Sequence, residues 1–204
     1  MTLFQNKYRI ESARLQGWDY SKQAAYFVTI VLKNREWLFG EIVDDNMIWN
    51  DAGRRAQQCW ADIPKHFPHV MLDVSIVMPN HVHGIIFITE SGTVGTVVPP
   101  VSPVPPVETQ NFASLHMPTN MPPPISSQMP YKNCFGPQSR NLASIVRGFK
   151  IGVTNWFRKN NNYNMIWQAC FHDHIIRNDA SYQKISNYIV LNPENWQEDI
   201  FYKE

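Results

Sequence analysis

The chain has 204 residues, of which 44% are hydrophobic and 13% aromatic, a formal net charge of +1 and a pI near 7.8. That length and composition fit one globular domain with a substantial core and exclude a disordered chain. The near-neutral charge argues against a protein that coats nucleic acid through a uniformly basic surface, while leaving room for a local basic groove. The three cysteines, Cys59, Cys134 and Cys170, are far apart and form no Cys-x-x-Cys pair, which points to a reducing compartment without a disulfide framework. The N-terminal residues carry no signal-peptide core, and no apolar run reaches the length of a membrane span, so the expected location is the cytoplasm.

Tyr26 to Leu32 reads as a buried strand, being a short apolar run rich in β-formers. Asn50 to His66 reads as a helix. Ala52, Ala56, Cys59, Trp60 and Ile63 share one face, with Arg54, Arg55 and Asp62 largely off it. Val70 to Met78 and His81 to Thr89 read as two strands joined at Pro79-Asn80 as a hairpin. Residues 91–139 break the pattern. Eleven of the fifteen prolines lie between Pro99 and Pro137, and Glu108 is the only Asp, Glu, Lys or Arg between Ser91 and Tyr131. Proline removes donors and fixes φ, so this segment is expected to be an extended, polyproline-like insertion, either a tolerated surface loop or a ligand for SH3-like partners. It divides one domain into residues 1–90 and 140–204.

Beyond it, Asn141 to Asn160 reads as an amphipathic helix, with Leu142, Ile145, Phe149, Val153 and Trp156 on its apolar stripe. Arg147, Lys150, Thr154 and Arg158 form a mainly basic stripe. Ile166 to Ile176 reads as a strand, and Asp179 as the N-cap of a last helix bearing Ile185, Tyr188 and Ile189. The order β-α-β-β-insertion-α-β-α fits an α+β fold, a ferredoxin-like two-layer sandwich whose antiparallel sheet carries helices on one face.

His81-Val82-His83 opens the second hairpin strand. Residues i and i+2 of a strand share a face, so both imidazoles can converge on one metal ion. In the C-terminal helix, Tyr188 and Asn192 stand four apart and are neighbours on one helical face. A phenol beside an amide oxygen suits attack on a phosphodiester, with the amide joining a divalent cation that polarises the phosphate. Asn192 has a second reading. Asn192-Pro193 is also a good N-cap and N1 pair for a new short helix, and proline disfavours helical backbone in the residue before it.

Met78-Pro79-Asn80-His81-Val82-His83-Gly84-Ile85 resembles the His-hydrophobic-His block of HUH endonucleases. Trp167-Gln168, then His174-Ile175-Ile176-Arg177-Asn178, then Tyr188-Ile189-x-x-Asn192-Pro193, are similar to the single-tyrosine transposases. The nearest likeness is the REP-associated tyrosine transposase branch, and it covers nearly the whole chain outside the Pro-rich segment. The resemblance implies cleavage of single-stranded DNA beside a folded hairpin, a 5′-phosphotyrosine intermediate, a freed 3′-OH and a strand transfer that reverses the chemistry. It implies Tyr188 as nucleophile, and His81, His83 and Asn192 as ligands of Mg²⁺ or Mn²⁺. Two imidazoles are softer than Mg²⁺ usually prefers, which favours Mn²⁺. His174 is an accessory candidate, for activating the tyrosine or binding phosphate. DNA contacts are expected from Arg54, Arg55, Arg147, Lys150 and Arg158, and from Arg9 and Arg14, on a nucleoid-associated monomer or homodimer with no membrane partner.

Two other functions fit parts of the same pattern. One is a non-catalytic hairpin-DNA-binding descendant of a transposase. The other is a His-x-His metal hydrolase, which the sequence leaves short of acidic ligands, because Asp73 and Glu90 flank the hairpin rather than join the histidines, and which leaves Tyr188 without a role.

Overall fold

The computed structural model describes Leu15 and residues 18–89, 139–161 and 165–202. The Pro-rich segment, but for its last residue, and Arg9, Arg14 and Glu90 lie outside the described residues. Among the described residues six strands and four α-helices follow in chain order: β1 (Ala24–Val31), β2 (Gly40–Val43), β3 (Asn46–Trp49), α1 (Asp51–Ala61), α2 (Ile63–His66), β4 (Val70–Val77), β5 (His81–Ile88), α3 (Leu142–Asn161), β6 (His172–Ile176) and α4 (Asp179–Val190). The main sheet has the order β4-β5-β1-β6, and every neighbouring pair is antiparallel. This is the α+β sandwich expected from the sequence.

Strand alternation sorts the side chains of β1 and β5 into two packed layers. Tyr26, Val28 and Ile30 of β1, with Val82, Ile86 and Ile88 of β5, join Trp60 of α1 and Phe149 and Val153 of α3 in the main core. Phe27 of β1, with Ile85 and Phe87 of β5, faces the other way and meets Ile185 and Ile189 of α4. Helices therefore cover both faces: α1 and α3 the first, as expected, and α4 the second. That explains why β1 and β5 read as near-continuous apolar runs rather than alternating ones. A hydrogen bond of 2.5 Å from the Tyr182 hydroxyl to Asp73 Oδ2 ties α4 to β4, where the register of β4 shifts between Leu72 and Ser75.

Local chemistry sets the boundaries. Asn50 caps α1 by accepting from the Gly53 N–H at 2.9 Å. The expected single helix to His66 is split at Asp62, because Pro64 has no N–H to donate and its ring crowds the carbonyl four residues back. Asn178, not Asp179, caps α4: it is extended and accepts from the Ser181 N–H at 2.8 Å, while Asp179 sits in the first helical turn, where its charge suits the helix dipole.

Two further differences concern strands. The expected Ile166–Ile176 strand is confined to His172–Ile176, with Trp167 making only an isolated bridge to Leu32. In between, the carbonyls of Gln168 and Cys170 accept from Lys150 Nζ at 2.8 and 3.0 Å instead of from a ladder. The β2–β3 hairpin was not expected. Its two-residue turn puts Asp44 and Asp45 at φ 48° and 59°, the paired left-handed conformation of a type I′ turn, here without the usual glycine signal.

Gly84 sits where β5 passes under α1. A Cβ there would stand 2.2 Å from a ring carbon of Trp60, so the indole lies on the strand only because that position has no side chain. Gly84→Ala is expected to destabilise the fold by about 2 kcal/mol through overpacking, read as a lowered urea midpoint with an unchanged m-value.

Candidate active site

His81 and His83 point to the second face of the sheet, 0% and 1% exposed, with ring centroids 4.4 Å apart. Each ring is held through Nδ1. Asn80 Oδ1 lies 2.8 Å from His81 Nδ1, and Asn80 is itself fixed by donating to the carbonyls of Phe201 and Arg35 at 2.8 and 3.3 Å. Thr29, directly opposite His83 in the β1–β5 register, brings its hydroxyl to 2.8 Å from His83 Nδ1. Holding one ring nitrogen leaves the other to serve as a ligand, the arrangement in which second-layer partners orient metal-binding imidazoles.

The Nε2 atoms look toward α4 and the segment after it. His81 Nε2 is buried with no hydrogen-bond partner. His83 Nε2 is 3.2 Å from the Tyr188 hydroxyl. That hydroxyl donates to Asp199 Oδ2 at 3.2 Å, and Asn192 Nδ2 donates to the same oxygen at 2.8 Å. Asp199 is held in turn by the Phe201 N–H, which donates to its Oδ1 at 2.6 Å. Asn192 is 1% exposed and its Oδ1 has no partner.

Among the described residues, His81, His83 and Asp199 form a group whose ligand atoms all lie within 4.8 Å of one another, close to the span of a single ion with bonds near 2.1 Å. The donor set fits a divalent metal. Two imidazoles and a carboxylate converge, and two buried polar atoms there, His81 Nε2 and Asn192 Oδ1, make no hydrogen bond of ordinary geometry among the described residues.

Burial, reinforced by the Arg35 charge, lowers His81 to about 3, against a smaller opposing effect of Asn192. Burial and then the His81 neighbour push His83 well down, with Asp199 opposing. Both rings are therefore neutral at neutral pH, the form that donates a lone pair. Burial, then the Asp199 charge, raise Tyr188 above its ordinary value. The phenol holds its proton until something offsets that carboxylate.

The structure thus gathers four residues singled out in the sequence, His81, His83, Tyr188 and Asn192. Asn192 makes no helix cap. The following 3-10 turn, Trp196–Glu198, starts at Asn195 without a side-chain cap, and the Asn192 amide turns inward to Asp199. Asp199 carries no signal in the sequence, because it lies past the helix of Tyr188 and far from the hairpin, whereas Asp73 beside the hairpin is engaged by Tyr182. Asn80 and Thr29 were missed as well. For Asn80 the available signal was an amide directly preceding the histidines.

The remaining candidates stand elsewhere. His174 is exposed on β6, opposite Phe27, and burial with the nearby Arg177 lowers its pKa, against Asp173. The register puts His172 rather than His174 opposite Thr29, in line with His83. Arg54 and Arg55 on α1, and Arg147, Lys150 and Arg158 on α3, belong to the helices of the first face, away from His81 and His83. Arg54 donates to Asp51 Oδ1 at 2.6 Å and to the Trp49 carbonyl at 2.7 Å. Burial lowers Lys150 to about 8. On the histidines' own side, Arg35 donates to the Ile200 carbonyl at 2.8 Å and lies over the Phe201 ring.

The buried imidazoles make the fold acid-sensitive. Their folded pKa values lie below the ordinary value of 6.5, so the unfolded chain takes up protons first as pH falls. Stability is full above about pH 6.5 and is lost progressively toward about pH 3. Thermal unfolding from pH 7 to pH 4.5 is expected to show a falling Tm, with a shallower slope in His81→Gln.

No protein-family model matches the chain. An uncharacterised protein of Haemophilus influenzae is 38% identical over 191 residues, 94% of this chain and 92% of that one. Among solved structures, a REP-associated tyrosine transposase bound to a REP hairpin superposes with a TM-score of 0.53 at 17% identity, covering 90% of this chain and 74% of that one. A Deinococcus radiodurans protein provisionally assigned as a transposase reaches a TM-score of 0.41 at 11% identity, over 87% of this chain and 95% of that one, too low a score to argue from. The described residues include no helix long and apolar enough to cross a membrane. The chain belongs to one family with the Haemophilus influenzae protein, and its fold is that of the REP-associated tyrosine transposase.

Proposed function

We propose that the protein is a metal-dependent single-stranded DNA nickase and strand transferase, a transposase acting beside hairpin DNA in the cytoplasm. The observation that carries this reading is the Tyr188 hydroxyl, 3.2 Å from His83 Nε2 and 3.2 Å from Asp199 Oδ2, at a convergence of metal-ligand side chains. His81, His83 and Asp199 would hold Mg²⁺ or Mn²⁺, with Asn192 Oδ1 in reach as a further oxygen donor. When bound, the ion supplies Lewis-acid polarisation of a phosphate and offsets the carboxylate charge beside the phenol.

The chain's own residues do the rest. Tyr188 presents its oxygen to the scissile phosphorus and forms the Tyr–O–P bond. The bond from phosphorus to the 3′ oxygen breaks, and that oxygen leaves as a 3′-OH by taking from solvent a proton that matches the one the phenol gives up. Asp199 Oδ2, which already accepts from Tyr188, receives the phenolic proton. Strand transfer is the reverse attack, by a 3′-OH on the phosphotyrosine.

A second reading has one observation in its favour. Asp199 gives the His-x-His pair the carboxylate that a metal hydrolase needs. The two readings diverge at Tyr188. With a labelled single strand carrying a hairpin, and Mn²⁺, a denaturing gel is expected to show a covalent protein–DNA adduct that disappears in Tyr188→Phe. Cleavage that persists in Tyr188→Phe would instead establish the hydrolase. Specific binding without an adduct or cleavage would identify a non-catalytic DNA-binding descendant.

Metal binding has its own readout. Saturating Mn²⁺ is expected to raise the Tm, corresponding to about 3 kcal/mol at a hundredfold excess over Kd, with little effect on His83→Ala. Asp199→Asn, which keeps the shape and removes the charge, should weaken Mn²⁺ affinity by roughly one to two orders of magnitude in calorimetric titration. Equal shifts in wild type and both variants would place the ion elsewhere.

A further inference from the structure

Between β1 and β2 the backbone takes a shape that most side chains avoid. Asn34 and Arg35 are both left-handed, at φ 57° and 56°. Glycine adopts that conformation freely and asparagine tolerates it, whereas an arginine held there is strained and calls for a reason in its surroundings. The turn is firmly mounted. The Leu32 N–H donates to the Asn80 carbonyl at 2.8 Å and the Phe39 N–H to the Pro79 carbonyl at 3.1 Å, so both of its ends are tied to the residues that open β5.

From that mounting Arg35 reaches both sides of the candidate metal centre. Its carbonyl accepts from Asn80 Nδ2 at 3.3 Å, and Asn80 Oδ1 lies 2.8 Å from His81 Nδ1. Its guanidinium donates to the Ile200 carbonyl at 2.8 Å and lies over the Phe201 ring, 5.6 Å from the centroid. Ile200 follows Asp199 directly, and the Phe201 N–H donates to Asp199 Oδ1 at 2.6 Å. The Phe201 ring packs on His81 with centroids 4.8 Å apart. Ile200 itself is 61% exposed, so its side chain adds little burial to hold this stretch down.

We propose that Arg35 is a positioning residue for the metal centre. Its guanidinium clamps residues 199–201 against the strand of His81 and His83, and so keeps the Asp199 carboxylate in reach of the ion that the imidazoles hold. The inference rests on the reading of Asp199 as a metal ligand. Charge alone would act in the opposite direction. After burial, the Arg35 cation is what lowers His81, and the same charge repels a divalent ion. A guanidinium near a metal site is therefore unfavourable unless its shape does something useful. Donating to a carbonyl while lying flat on a ring is what a guanidinium does and an ammonium does poorly.

The two effects predict opposite signs. In the full-length protein, Arg35→Gly suits the left-handed backbone, so it leaves the carbonyl that Asn80 uses and removes the guanidinium. Mn²⁺ affinity, read from the electron paramagnetic resonance signal of free Mn²⁺, is expected to fall roughly tenfold. Arg35→Lys, which keeps the charge and a donor, should recover part of it. Metal-free protein gives a second readout. Hydrogen exchange at the Ile200 and Phe201 amides should become several-fold faster in Arg35→Gly, with β5 and α4 as protected as before. Unchanged Mn²⁺ affinity overturns the proposal, and tighter binding overturns it by showing that the site feels only the charge. Unchanged exchange at Phe201 overturns the clamp whatever the metal does, and exchange that quickens equally in β5 and α4 overturns it as a general loss of fold. Absence of Mn²⁺ binding in wild type removes the metal reading separately, and exchange at Phe201 then decides whether the clamp stands.

Discussion

The structure is organised by the two-residue alternation of β5. Val82, Gly84 and Ile86 face the core beneath α1 and α3, while His81, His83 and Ile85 face α4. One strand thus supplies the wall of the main core and the base of the polar site, and a register slip of one residue would exchange the two. Gly84 fits both demands. Trp60 lies flush on the strand there, which anchors α1 against the strand that carries the histidines.

Burying two imidazoles is unfavourable unless their nitrogens are satisfied, at about 1–3 kcal/mol for each polar group left unpaired. Thr29 and Asn80 satisfy the Nδ1 atoms, and Tyr188 faces one Nε2, which leaves His81 Nε2 unpartnered. On the other side of the gap, Asp199 brings a carboxylate next to a phenol and next to Asn192, whose Oδ1 is also unpartnered. Each of these is a local defect in a protein interior, and all of them point into the same small space. A divalent cation would correct them together. It would give the lone pairs a partner and balance the carboxylate whose charge helps to keep Tyr188 protonated. Stability and chemistry therefore meet at one position: the groups that make the fold acid-sensitive are the groups that make the site fit for metal.

The parts legible in the sequence were those governed by short-range periodicity. The runs at Tyr26 and Val70 and the His-x-His spacing lie within single strands, and the structure reproduces them, whereas α4 carries Tyr188 but ends at Val190, so that Asn192 stands in the turn just beyond it. What escaped depends on pairing distant segments. Asp199 joins His81 across more than a hundred positions of chain, through a turn after α4 that no periodicity marks. The β2–β3 hairpin escaped because Asp44 and Asp45 adopt left-handed backbone without glycine. The strand expected from Ile166 was shortened by Lys150, whose ammonium takes the carbonyls of Gln168 and Cys170. A helical stripe in the sequence presented that lysine as surface charge, and only the tertiary fold turns it inward.

That last point bears on how DNA would be engaged. The arginines of α1 and α3 lie on the face of the sheet away from Tyr188, and Lys150 is committed to backbone carbonyls. The net charge of +1 leaves little long-range attraction to spare. Around the histidines the chemistry is different. Phe27 packs on His83, Phe201 and Trp196 on His81, and Trp37 and Tyr202 on Trp196, with Arg35 lying over the Phe201 ring. Stacking acts on exposed bases and is silent on a closed duplex, whereas a basic face attracts any phosphate backbone. On the proposed reading, the exposed part of such an aromatic group would favour strands whose bases are already unpaired, and would do so without a strongly basic surface.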